Sequence, residues 1–141
     1  MARWGIGFTD RTWGRGFGER PWVDTRSFLG GMAASDPEFR YLVDVIDSVM
    51  DSGADVLLAG GTSMHDLMVT PHPVGPHVRD LIVVRAPSSL RPAATAGHVR
   101  IEHLSSTGYN DFIDRPPSDA VPLFWRFVLE KYGIRPPHRS V

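Results

Sequence analysis

Phe39, Leu42, Val43, Ile46, Val49 and Met50 recur at the i, i+3, i+4, i+7 spacing of one helix face, with Glu38, Arg40, Asp44 and Asp47 largely off that stripe. Ser35 or Asp36 can cap the start, Pro37 suits the first turn, and Gly53 lies just beyond the end, so a helix over residues 37–50 is expected. A helix with one apolar stripe must bury it against another layer, and the segment that follows supplies strands.

Val56-Leu57-Leu58-Ala59 reads as a short buried strand, and Leu81-Ile82-Val83-Val84 and the run from Val99 to Leu104 read as two more. A fourth passes through Tyr109 to Ile113 and pairs with the third as a hairpin, because Ser105-Ser106-Thr107-Gly108 has the composition of a tight loop. A second long helix runs from Ser118 or Asp119 to Tyr132, with Pro122 in its first turn and Gly133 as its C-cap. Its stripe of Val121, Phe124, Trp125, Val128, Leu129 and Tyr132 is widened by Leu123 and Phe127, a breadth that implies burial on two sides. The expected fold class is α+β, a mainly antiparallel sheet of about four strands packed against two long helices.

Ahead of this domain, Trp4, Trp13 and Trp22 are evenly spaced among Gly5, Gly7, Gly14, Gly16, Gly18 and several arginines. No core helix is expected there. Trp4, Ile6 and Phe8 alternate as in one short strand, and the rest reads as extended chain pinned by aromatics. The organisation is therefore an extended aromatic N-terminal arm over 1–34, a domain over 35–133 and an extended tail over 134–141. Burying each Trp contributes a few kcal/mol at about 25 cal/mol per Å2, so the arm is expected to pack on the body or on a partner.

The chain has 141 residues, enough for one ordinary domain, and its 42% hydrophobic and 22% charged composition is that of a globular protein. Its net charge of −1 argues against nucleic acid as a partner, as do the acidic Asp10, Glu19 and Asp24 within the arm. No apolar run is long enough to span a membrane, and Met1-Ala2-Arg3-Trp4-Gly5 is unlike a secretory signal, so a soluble, cytoplasmic protein is expected. With no cysteine, disulfides, thiolate nucleophiles and sulfur-ligated zinc are all excluded.

Chemistry is expected in the segment from Asp55 to Asp114, which holds every histidine but His138. Gly60-Gly61-Thr62-Ser63 followed by Met64-His65-Asp66-Leu67-Met68 reads as a glycine turn into a short helix, a shape that can cradle phosphate or carboxylate. The plainer alternative is a capping box of Ser63 and Asp66 at a helix start, and a strand from Met64 to Val69 competes with both. Ala59-Gly60-Gly61-Thr62-Ser63 resembles the glycine-rich turn that holds FAD pyrophosphate in the molybdenum hydroxylase and vanillyl-alcohol oxidase families. The resemblance covers five residues only, and no cofactor is carried over from it.

Strand alternation sends His98 and His103 to opposite faces, so they cannot share an ion, and His98 and Glu102 lie roughly 13 Å apart. No metal site is expected. His103 shares a face with Val99 and Ile101, as a core-edge histidine or one projecting into a pocket, and His72 and His77 flank a proline-rich loop that suits solvent. His65, Asp66, His103 and Asp111 could form a composite acid–base site if the strands bring them together, and Arg115 could clamp an anion where it does not make a surface ion pair. No nucleophile elbow is present.

These features favour a non-enzymatic protein-interaction or assembly subunit, of the immunity-protein or particle-building kind. Its partner is a protein or a second copy, met through Trp4, Trp13, Trp22, Trp125 and Phe127. The alternative is a small enzyme or ligand-binding protein with a His/Asp pocket near Gly60 and Gly61.

Overall fold

The computed structural model describes residues 17–136; Trp4, Trp13 and His138 lie outside the described residues. Three helices, α1 (Trp22–Ser35), α2 (Arg40–Asp51) and α3 (Ala120–Tyr132), pack against one face of an antiparallel sheet. Its five strands are β1 (Leu58–Ser63), β2 (Asp66–Pro71), β3 (Asp80–Val84), β4 (Val99–Ser105) and β5 (Asp111–Arg115), lying side by side in chain order. The α+β class holds, with one more strand and one more helix than the sequence pattern predicts.

The extra helix corrects the picture of an arm extended through residue 34. α1 carries no clear apolar stripe, and Gly30 and Gly31 each disfavour helix by about 1 kcal/mol relative to Ala. Tertiary contacts override that weakness: Trp22, Thr25 and Leu29 are buried, and Arg26 holds Asp47 of α2 through two bonds of 2.7 and 3.3 Å. α2 forms as its stripe requires, entered by a 3-10 turn at Pro37–Phe39 in which the Asp36 carboxylate accepts from the Glu38 N–H at 3.0 Å. Gly53, at φ 81°, ends it. α3 also follows its pattern, with Gly133 in the left-handed region at φ 69°.

The extra strand is β2. The Gly60-Gly61-Thr62-Ser63 stretch is not a turn but the body of β1, and the turn is the two residues Met64 and His65, with Ser63 paired to Asp66. Neither the short helix nor the Ser63/Asp66 capping box forms. The competing strand reading is the better one, shifted by two residues. β1 also begins later than Val56, which sits in a 3-10 turn, Ala54–Val56, ahead of it.

Side-chain alternation divides the sheet cleanly. Leu58, Leu67, Val69, Ile82, Val84, Val99 and Ile101 face the helices and join Leu42, Ile46, Phe124 and Val128 in the main core. Ala59, Leu81, Val83 and Leu104 face the other way and form a second, smaller cluster with Phe17 and Val78. Among the described residues no helix is long and apolar enough to cross a membrane.

Candidate functional site

Residues 17–22 wrap the free edge of β1. Phe17 packs on the helix-free face, the Arg20 N–H donates to the Gly60 carbonyl at 2.9 Å along the edge, and Trp22 lies on the helix-facing side. The indole N–H of Trp22 donates to the Leu58 carbonyl at 2.8 Å, so both of these carbonyls on the outer edge are satisfied by the chain itself. The glycines make this possible. A Cβ on Gly60 would come within 2.7 Å of the Trp22 ring, and one on Gly61 within 2.4 Å of the Gly18 carbonyl oxygen. Gly60 and Gly61 therefore admit the protein's own chain from both faces, and the space a phosphate or a flavin pyrophosphate would need is filled.

On the helix-free face, Arg85 bridges two carboxylates: its Nη1 donates to Asp66 at 2.8 Å and its Nε to Glu102 at 2.5 Å. Asp66 also accepts from the Ala86 N–H at 2.7 Å and from the Ser89 hydroxyl at 3.0 Å. The Arg85 carbonyl accepts from the Tyr41 hydroxyl, whose burial pushes the phenol pKa up. Beside this network lies a pocket of about 200 Å3 whose walls include Ser63, His65, Asp66, Met68, Val83 and Leu104. A wider cleft of about 650 Å3 opens between the start of α2 and the β3–β4 connection, past Tyr41, His98 and Arg100. Arg100 is held at 2.7 and 2.9 Å by Asp114, whose carboxyl that guanidinium keeps below the usual range.

The four proposed acid–base residues do not converge. His65, at the β1–β2 tip, lies between the rings of Phe28 and Phe39 at 5.7 and 5.8 Å, and its Nδ1 is 3.1 Å from the Ser88 hydroxyl. Asp66, its chain neighbour, joins the Arg85 network on the helix-free face. His103 and Asp111 are opposite each other in register, level with Val69 and Ile82, so Asp66 lies three residues or about 10 Å away along β2 and on the other face. His103 bonds Asp80 through Nε2 at 3.1 Å, its ring edge meets Tyr132, and its Nδ1 is buried with no hydrogen-bond partner among the described residues. Burial lowers its pKa, against a smaller opposing pull from Asp80. The Lys131 ammonium binds Asp111 and holds its carboxyl below the usual range. Among the described residues no group of three or more His, Asp or Glu side chains could hold a metal ion.

Arg115 ends β5, opposite Val99, and donates to the Asp114 carbonyl at 3.3 Å, well removed from the Gly60 region. Thr62 and Ser63 are β1 residues, with Ser63 on the rim of the smaller pocket.

Of the aromatics expected to meet a partner, the three that are described pack within the fold. Trp22 is only 8% exposed and Phe127 is buried, while half-buried Trp125 donates its indole N–H to Ser48 of α2 at 2.9 Å. The breadth of the α3 stripe reflects burial against α2 and the sheet. Exposed aromatic surface lies instead at Phe28 of α1, which is 45% exposed, and at the far edge, where Tyr109 and Phe112 are 84% and 58% exposed.

Backbone geometry adds to this. The Arg85 N–H donates to the Arg100 carbonyl, so Arg100 and Glu102 turn their backbone groups toward β3, and Ile101 and His103 turn theirs toward β5. Their partners Ile113 and Asp111 face inward, which leaves Phe112 and Asp114 presenting N–H and C=O outward. Among the described residues no strand pairs with that edge. The fold and this surface thus define an α+β domain with one sheet edge closed by its own chain and the other unpaired among the described residues. The chain matches no protein-family model, no curated protein and no solved structure.

Proposed function

We propose that the protein is a non-enzymatic protein-interaction or assembly subunit, acting in the cytoplasm, whose partner surface is the open edge of β5. The observation that carries this reading is the asymmetry of the sheet. An unpaired edge is a template for another strand, and proteins ordinarily blunt it with a covering segment, a bulge, short length, proline or charged side chains. β1 is covered by residues 17–22, whereas β5, a short strand with three charged residues, is uncovered among the described residues and has Tyr109 and Phe112 exposed beside it. Strand addition would supply main-chain bonds at Phe112 and Asp114, and the aromatic side chains would add selectivity.

The catalytic alternative has weaker support. It rests on the pocket of about 200 Å3 bordered by His65 and Asp66, yet that carboxylate is engaged by Arg85, Ala86 and Ser89. A carboxylate already accepting three hydrogen bonds, one of them from an arginine, is a poor general base. Trp4 and Trp13 of the N-terminal segment remain proposed partner contacts.

A photo-crosslinking side chain at position 112, introduced in cells that make the protein, tests the interaction reading. We expect a defined polypeptide adduct there and none from the same probe at exposed Asp51, at the end of α2. Absence of any adduct at position 112 would count against it.

A further inference from the structure

We infer that the strand added to β5 is the β5 strand of a second copy of this chain, paired antiparallel about a twofold axis at Ile113. The inference rests on reading the β5 edge as an interaction surface. It comes from the sequence of the edge, Asp111-Phe112-Ile113-Asp114-Arg115, whose end residues Asp111 and Arg115 complement each other in charge when the strand meets a copy of itself.

In an antiparallel pair centred on Ile113, Phe112 stands opposite the second copy's Asp114, and these are the residues whose backbone groups point outward. Both N–H and C=O groups of each find partners. Ile113 then meets its own counterpart in a non-hydrogen-bonded pair, on the face where it already packs against the core. Asp111 stands opposite the second copy's Arg115, and symmetry makes that ion pair twice.

The competing registers are poorer. Shifting by one residue in each copy toward the strand's C-terminus sets Asp114 against itself, and shifting the other way gains a Phe112–Phe112 pair but sets Asp111 against Ile113. Like charges directly across an antiparallel pair are destabilising, and either shift gives up both Asp111–Arg115 pairs. Asp111 is exposed and already holds Lys131, and its second oxygen is the one that meets Arg115 of the second copy in this register. Arg115 gives up only a 3.3 Å contact to a neighbouring carbonyl. On the helix-free face, the Arg100 guanidinium lies 3.9 Å over the Phe112 ring and is fixed by Asp114, so the aromatic and the ion pair form a pre-set surface there. The contact is isologous and closes as a dimer with one continuous sheet, using up the open edge in both copies.

Sedimentation of the full chain with paired charge reversals tests this. Wild type should dimerise, and Asp111→Arg or Arg115→Asp alone should weaken the dimer about tenfold or more, since each sets like charges across both pairs. An equimolar mixture of the two variants should recover it, because every cross-strand pair is then opposite in sign. A second measurement does not depend on how well the Asp111 variant folds beside Lys131. The chain has no cysteine, so Ile113→Cys should give a disulfide-linked dimer on mild oxidation while Leu90→Cys, on the exposed β3–β4 connection, should not. A chain that stays monomeric with no Ile113→Cys dimer, or a dimer indifferent to both reversals, would overturn the inference. If position 112 then crosslinks to a different polypeptide, the interaction reading stands and only self-pairing falls; if it crosslinks to nothing, both fall.

Discussion

The Trp22 ring occupies the space where Gly60 would carry a side chain: a Cβ at that position would lie 2.7 Å from it. The same indole donates to the Leu58 carbonyl, one residue pair further back along β1. Glycine content that suggests a ligand cradle in the sequence thus serves to seal a sheet edge. Gly60→Ala should lower stability by about 1–3 kcal/mol through overpacking, measured by urea unfolding. A stability equal to wild type would mean that the Trp22 contact is not made in solution.

Arg85 pairs with both Asp66 and Glu102, which are buried. Removing one member of such a network strands charges in a poorly solvated place. Arg85→Met should therefore destabilise by about 3–5 kcal/mol, again read from denaturant unfolding. A loss within the range of an ordinary surface substitution would show the network to be solvated.

Met64 has φ 57°, in the left-handed region that disfavours a side chain. The two-residue turn joining β1 to β2 imposes it. Met64→Gly should raise stability by about 1 kcal/mol, as relief of that strain outweighs the added freedom of the unfolded chain. A fall in thermal midpoint would contradict this.

His103 gives a pH dependence. Its groups in view are Asp80 on β3, Asp111 on β5, and Lys131 and Tyr132 on α3. Burial dominates and lowers its folded-state pKa below the ordinary 6.5, so the unfolded chain binds the proton more readily. The contribution of neutral His103 is present in full above 6.5 and is lost as pH falls toward and through its lowered folded value. Unfolding free energy measured against pH should decline through this window in wild type, and His103→Gln should remove part of the decline. An identical slope in the two proteins would assign the acid sensitivity elsewhere.

The two amphipathic helices, β3 and β4 were legible because their periodicities and caps act locally, and β5 was legible as a strand although it lies at Asp111–Arg115, two residues beyond the expected Tyr109 to Ile113. Asp36 caps as its position implies, Gly133 ends α3, and the Ser105–Gly108 loop joins the last two strands. α1 was not legible, because Thr25, Gly30 and Gly31 weaken any local signal and Trp22 is held by β1, far along the chain. β2 stood only as the competing reading from Met64 to Val69, because Gly60-Gly61 is a turn signal whose real role depends on residues 18 and 22 crossing it. Alternation did place His103 among Val99 and Ile101 at the core edge. What it could not supply was the distance between that residue and Asp66, which depends on strand order and register. The open edge at Phe112 was hidden for the same reason, since an edge strand is defined by the absence of a neighbour.

Amide hydrogen exchange at Phe112 and Asp114 tests the central claim most directly, because these are the outward-facing groups of β5. With rising concentration of the full chain, both amides should become protected together, while the amides of the exposed β3–β4 connection stay unchanged. Rapid exchange at Phe112 and Asp114 at every concentration, and equally in the presence of any polypeptide captured at position 112, would contradict the account.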